Sequence, residues 1–557
     1  MFVRTKSTPN SPRKSIQIVE SVRNGLKVTQ KIVSYIGIAE NEKEVAQLRA
    51  LAYERIEQLQ QESRQKASDE KEKAGELAIS ERGRGRPQRK RIDQIIPANQ
   101  VTLDQIEEEH RLIEGIHEIG GVVYNQLGYD AILSAQKQKE LLKDLVLSRI
   151  VSPESKHRQQ QTLQNRFGKE YDLDAIYRLM DLLHEKIPTI KSLTFARTKA
   201  LFPDSVDVIL FDVTTLYFES TESDELRNTG WSKDHRFTST QVVLALATNG
   251  DGLPIGYELF KGNKAEVLTL CEAITEWEKL FDIGSVCFVG DRAMFSQKNL
   301  TLLEEKGYQY VVAAKLRTLP ADLQKELLDE KKFRITVFKG ELAWIGEFLH
   351  EDRRLIVSFS KKRAYKDAKD RETIITNIKK KLTGTPSPKK LLSNSGVKKF
   401  VNTSVGAKAA LDEDKIKADA AWDGLHGVIT NLSEADATTI LERYSRLWVI
   451  EDAFRTNKHN LQMRPIYHFK PGRIESHIAL CYMAFSVLKH LQYTASLTQK
   501  LSVNEVIDEL LGVQASIYIH KVTQDRYRIP GNTTHKANKI YKAFNMIRSS
   551  HAEPYIK

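Results

Sequence analysis

Between residues 206 and 314 the chain switches between two apolar patterns. Val206 to Phe211, Gln241 to Ala247, Pro254 to Lys261, Ser285 to Val289 and Tyr308 to Ala314 are short and apolar at most positions, the mark of strands buried on both faces. Ala265 to Phe281 and Gln297 to Lys306 place apolar residues at helical spacing instead. The predicted order is therefore β-β-β-α-β-α-β, with Asn249-Gly250-Asp251-Gly252 as a hairpin turn between the second and third strands. The first strand runs into Asp212 and the fourth into Asp291. Strands laid side by side would bring these two aspartates together at the carboxyl edge, where open α/β sheets hold their ligands.

The flanks follow other rhythms. Ser15 to Val19 alternates, Asn24-Gly25 is a hairpin turn, and Leu26 to Tyr35 returns. From Asn41 to Ala78 a thin stripe of Val45, Leu48, Leu51, Ile56 and Leu59 predicts a long charged helix. Residues 101 to 200 read as helical throughout, with segments at Leu103 to Ile119, Gln136 to Ile150 and Leu173 to Ile187, and with Lys156, His157, Arg158 and Arg166 available for phosphates. After residue 317 the pattern becomes an antiparallel meander of Phe333 to Phe338, Glu341 to Leu349 and Leu355 to Phe359, followed by a lysine-rich stretch from Lys361 to Lys390. Val428 to Asn431 resumes the buried pattern, and one helix then carries Tyr444, Glu451 and Lys458. Steps of seven turn through about 700°, so these three share a stripe, which Asp452 does not.

Composition narrows the partner. At 557 residues the chain holds three or four domains, and 85 Lys+Arg against 73 Asp+Glu gives +12, favouring a polyanion, nucleic acid first. No run approaches the ~20 apolar residues of a membrane span. The N-terminus has no apolar signal region, and Cys271, Cys287 and Cys481 lack metal or disulfide spacing, so a reduced, cytoplasmic setting is expected. Arg82-Gly83-Arg84-Gly85-Arg86-Pro87-Gln88-Arg89-Lys90-Arg91 is an extended basic arm whose Arg-Gly-Arg-Pro core resembles the AT-hook, which lays Arg84 and Arg86 along a narrow minor groove.

Asp212, Asp291 and Glu451 together suit a divalent-metal site for phosphoryl transfer. Two Mg²⁺ ions, with Mn²⁺ as a substitute, would bind the attacking and leaving oxygens, Asp212 bridging and the other two completing one ion each. Crowded carboxylates repel one another unless cations lie between them. The sheet order with these aspartates is that of ribonuclease H-like folds, and the roughly 160 residues separating Asp291 from Glu451 imply an insertion domain.

At Phe211-Asp212-Val213-Thr214-Thr215, at Gly290-Asp291-Arg292-Ala293-Met294-Phe295-Ser296 and at Tyr444, Glu451 and Lys458, the sequence resembles DDE-type transposases of bacterial insertion sequences, in the group with a β-strand insertion and a Tyr-x2-Arg-x3-Glu-x6-Lys signature. The signature arginine position is Leu447, with Arg446 beside it. Ser232-Lys233-Asp234-His235-Arg236 also resembles a subgroup of these enzymes. The resemblance implies an α/β, ribonuclease H-like catalytic domain (201–316 and 431–495) interrupted by a β-rich insertion domain (317–430). A basic N-terminal DNA-binding module (1–95) and a helical domain (96–200) would precede it, and a tail (496–557) for dimerisation or DNA contact would follow. It further implies cleavage at terminal inverted repeats, 3′-hydroxyl strand transfer into target DNA, and a homodimer in the synaptic complex. DNA contacts would come from Tyr444, Lys458, Arg446, Arg292, Arg84, Arg86, Lys233, His235 and Arg236. An inactive end-binding protein and a structure-specific nuclease or resolvase of the same fold are the alternatives.

Overall fold

The computed structural model describes residues 2–7, 14–24, 27–39, 44–45, 48–50, 52–53, 55–56, 105–201, 208–218, 222–230, 239–284, 286–291, 295–384, 399–402 and 410–555. The chain divides into two compact units, one of residues 1–98 and 315–427, the other of 99–314 and 428–557. Both are assembled from segments distant in sequence.

In the first unit, strands Phe2–Ser7, Lys14–Asn24 and Lys27–Ala39 form an antiparallel sheet in that order. The expected hairpin is realised with Asn24 paired to Lys27. Its inner face gathers Ile16, Ile18, Ile36 and Ala39, and Val45, Leu48, Ala52 and Ile56 from the helical residues that follow close over it. The predicted meander is present as Arg334–Phe338, Glu341–His350 and Arg353–Phe359, antiparallel in sequence order. Its Leu342 packs into the N-terminal cluster. Gly340, at φ +75°, lets the hairpin pass so close to Tyr35 that a Cβ would stand 2.8 Å from its carbonyl oxygen. Residues 317–430 are not purely β, because Lys361–Gly384 is a 24-residue helix. Composition drew attention to its lysines and hid their 3.6-residue period.

Labels below follow the chain through the second unit. It opens with strand β1 (Ile106–Ile113), where the sequence predicts helix. Non-local pairing decides the matter: β1 lies antiparallel to β8 (Gln514–His520), which also pairs with β9 (Arg526–Pro530), and β10 (Glu553–Pro554) closes the sheet. Arg528 and Arg548 both hold the Glu114 carboxylate just beyond β1, at 2.5–2.7 Å, so charge pairing ties the tail to this edge. The helices α1 (Gly121–Gln126), α2 (Gln136–Val151), α3 (Lys156–Phe167), α4 (Leu173–His184) and α5 (Ile187–Leu201) follow.

Then come β2 (Val208–Tyr217), β3 (Gln241–Asn249), β4 (Pro254–Lys261), α6 (Glu266–Leu280), β5 (Cys287–Gly290), α7 (Gln297–Glu305) and β6 (Gln309–Ala313), in the order the apolar patterns predict. With β7 (Leu425–Thr430) they form a mixed sheet ordered β7-β6-β5-β2-β3-β4. β5 runs parallel to both β2 and β6, and the other pairings are antiparallel. One face buries Phe211, Val213, Ala245, Phe288, Tyr310 and Val312 against Leu270, Ile274 and Trp277 of α6 and Leu303 of α7. Each fully buried residue of this kind contributes roughly 1.5–3 kcal/mol. The remaining helices are α8 (Ala437–Ser445), α9 (Trp448–Arg455), α10 (Pro471–Ser496), α11 (Val503–Leu511) and α12 (His535–Ala543). α10 packs on α2, α4 and α5. No helix among the described residues is long and apolar enough to cross a membrane.

Candidate active site

Asp212 does not end its strand, contrary to the sequence expectation. β2 continues to Tyr217 because residues 212–217 stay paired to β3, while the register with β5 stops at Phe211 opposite Gly290. Asp212 and Asp291 are therefore the first residues beyond the last β2–β5 pair, on neighbouring parallel strands spaced about 4.8 Å apart. Gly290 makes this approach possible: a Cβ there would stand 2.6 Å from the Phe295 ring and 3.0 Å from the Phe211 carbonyl oxygen. Asp212 is half-buried and its Oδ1 accepts a hydrogen bond from the Val213 amide at 2.7 Å, whereas Asp291 is exposed.

Glu451 arrives on α9, and the expected single helix through Tyr444, Glu451 and Lys458 is broken in two places. Bonds from the amides of Leu447, Val449 and Ile450 to residues three earlier tighten the chain between α8 and α9, and Thr456–Asn460 then widens into a π-turn holding Lys458. Overwinding followed by underwinding is why a strict seven-residue step fails here. Tyr444 and Lys458 are both half-buried. Asp452, excluded by its angular position, is paired with Arg455 and with Lys489 at 3.6 Å.

α9 packs across β2 and β3. At its start the Arg446 guanidinium lies over Gly250, where a Cβ would come within 2.9 Å of Nη1, and Gly250 follows Asn249, the partner of Ile209 near the beginning of β2. Further on, the Arg464 guanidinium sits 5.1 Å over the ring of Tyr217, the last residue of β2. The segment thus runs along β2 from its first residues to its last. Glu451 itself is exposed, at the rim of a helix that buries Val449, Ile450, Ala453 and Phe454.

The structure thus sets Asp212 and Asp291 one residue beyond the last pair of two adjacent strands and carries Glu451 on a helix that packs on β2 and β3. It does not gather the trio into one coordination sphere: among the described residues no three His, Cys, Asp or Glu side chains stand close enough to hold a metal ion. By donor chemistry the set fits Mg²⁺, since all three offer hard carboxylate oxygens, with no thiol or imidazole among them.

Arg446, expected on DNA, is exposed and 3.6 Å from Glu442, at the Gly250 end of β2 rather than beside the aspartates. Arg84, Arg86, Lys233, His235, Arg236 and Arg292 lie outside the described residues. Sequence reading passed over 464–470. Arg464 covers Tyr217, Tyr467 and Phe469 are 60% and 70% exposed, and the Arg227 guanidinium lies between Phe218 and Phe469 at 5.5 and 5.8 Å. Basic and aromatic residues alternating from Arg464 to Lys470 were the available signal, since stacking rings beside cations suit nucleic acid.

Residues 205–487 match the family model described as the transposase DDE domain, and residues 2–70 match the IS1634 family transposase N-terminal domain. No curated protein matches the chain. Among solved structures, the piggyBac transposase synaptic complex with hairpin DNA, determined by cryo-EM, is similar at 9% identity and a TM-score of 0.37, covering 72% of this chain and 77% of that one. With just over half its length matched by the first model and its N-terminal sheet by the second, the chain belongs to the DDE-type insertion-sequence transposases.

Proposed function

We propose that this transposase cuts DNA at the terminal inverted repeats of its element and joins the freed 3′-hydroxyl to target DNA, with Asp212, Asp291 and Glu451 as its metal ligands on a ribonuclease H-like sheet interrupted by an insertion. The observation that carries the reading is the placement of Asp212 and Asp291 where the β2–β5 register ends, with α9 running along β2. Asp291 and Glu451 are exposed, and Asp212 is half-buried on a paired strand. Mg²⁺, when bound, would polarise the scissile phosphate and lower the pKa of the attacking hydroxyl or water. The chain's own part is to hold the oxygen donors and align the strand. Arg464, Tyr467 and Phe469 would grip DNA beyond the end of β2, and Tyr444 and Lys458 would contact phosphates nearer Glu451. Recognition of the ends falls to the N-terminal sheet and the Arg84/Arg86 arm, and a homodimer would pair two ends.

Replacing Asp212 by Asn removes the charge while keeping shape and the Val213 hydrogen bond. Cleavage of an end-bearing duplex in Mg²⁺ should fall by at least about a thousandfold, with binding of the same duplex within about threefold of wild type. Strand transfer at the wild-type rate by the Asn variant would overturn the assignment.

A further inference from the structure

The helix Lys361–Gly384 has two faces with separate duties. Ala364, Asp367, Arg371, Ile374 and Ile378 recur at steps of three and four, and each is engaged by its own unit. Ala364 abuts Gly424, whose added Cβ would stand 2.8 Å from Ala364 Cβ, and Asp367 accepts the Gly424 amide at 3.0 Å. Arg371 donates two hydrogen bonds to Asp423 and lies 3.6 Å from Asp419. Ile378 is fully buried with Phe400 and Val401, and Ile374 packs beside them. The other face carries Lys362, Lys366, Lys369, Thr373, Thr376 and Lys380, again at steps of four and three, and all six are exposed. Eighteen residues at 1.5 Å make a track about 27 Å long, the rise of roughly eight base pairs.

From this placement we infer that the outer face of the helix is a contact surface for the phosphate backbone of duplex DNA, bound without regard to sequence. Ammonium groups are phosphate ligands, and this stripe carries no arginine fork to read base edges, while the Thr373 hydroxyl donates to the Lys369 carbonyl at 2.9 Å. Asp370 and Glu372 lie at its margins and not on the stripe. A solvated face is what most charged helices present, but solubility does not ask for one sign of charge held on one line over five turns. An anionic membrane is disfavoured because Ile374 and Ile378 are turned inward, leaving Tyr365, 73% exposed, as the one large ring beside the track. The inference depends on the transposase reading only for the class of partner.

The test uses the full chain and a random-sequence 30-base-pair duplex, titrated by fluorescence anisotropy at several salt concentrations without divalent metal. The triple variant Lys366→Ala, Lys369→Ala, Lys380→Ala should bind roughly ten- to a hundredfold more weakly at 0.1 M salt, with the slope of log K against log salt reduced by about 2–3. The corresponding triple Lys→Arg variant should bind as wild type does. A folded Ala triple with unchanged affinity and slope would overturn the inference. So would failure of the Arg triple to restore binding, wild-type chain that ignores the duplex, or preference for anionic phosphatidylserine vesicles over it. Cleavage of a short end duplex at saturating protein should be unaffected in the Ala triple, so this test and that of Asp212 fail separately.

Discussion

Two helices of nearly equal length, α10 with 26 residues and Lys361–Gly384 with 24, meet their surroundings in opposite ways. α10 is buried on every side from Ile474 to Leu491 apart from Glu475, and even its polar members are enclosed. Ser476 donates to the Met180 carbonyl at 2.6 Å, His477 to the Met463 carbonyl at 3.1 Å, and His490 to the Ser486 carbonyl at 2.8 Å. Lys361–Gly384 commits one stripe to packing and carries the other exposed, with Lys362 3.7 Å from Glu341. A helix apolar all round is a scaffold whose side chains all have internal work, and one polar along a single line has a face to spare for a partner. The contrast predicts where each helix tolerates change.

The largest effect should come from the enclosed helix. Phe485 is fully buried, so Phe485→Ala removes a ring whose cavity the packed neighbours cannot fill, at a cost of about 3–5 kcal/mol. Denaturant unfolding of the full chain measures it, read as the shift of the transition that α10 shares with its neighbours. A loss under 1 kcal/mol would mean that α10 is looser than its burial indicates.

That same enclosure explains what was legible in the sequence. The strands leading to Asp212 and Asp291 could be read because burial on both faces leaves a continuous apolar run. Glu451 stood out among Trp448, Val449, Ile450 and Phe454, although its helix was drawn too long because alternating 3₁₀-type and π turns have no signature in apolar spacing. β1 was misread as helix because its partner, β8, lies some 400 residues away and β1 itself shows no clean alternation. Lys361–Gly384 was hidden by composition, and the Arg464 to Lys470 segment by attention to the signature before it. The pairing of β1 with β8 is not a local property that propensity can weigh, whereas the other two segments carry local patterns.

Enclosed imidazoles give a second, smaller break in the comparison. Burial pushes His490 down to about 4 from an ordinary value near 6.5, against the pull of its hydrogen bond to Ser486. As pH falls, the unfolded chain takes this proton first, so stability is greatest above about 6.5 and drains away toward about 4. Between pH 7.5 and pH 5 this one group should cost about 2 kcal/mol. His490→Gln keeps a hydrogen-bonding side chain without titrating, and its unfolding free energy should fall by about 2 kcal/mol less than wild type over the same interval. Equal falls in both chains would show that His490 is protonated as easily folded as unfolded.

The smallest effect sharpens the contrast most. Lys366 stands mid-track and exposed, and Ala is the better helix former by a few tenths of a kcal/mol. Lys366→Ala should therefore leave unfolding free energy within about 0.5 kcal/mol of wild type, with any change a slight gain on propensity grounds. If instead the substitution cost more than about 1 kcal/mol, the ammonium would have an internal partner worth that much, and the outer face would be part of the fold. Neutral stability combined with weaker duplex binding separates the two roles on a single side chain, because packing and partner contact would then draw on opposite faces of one helix.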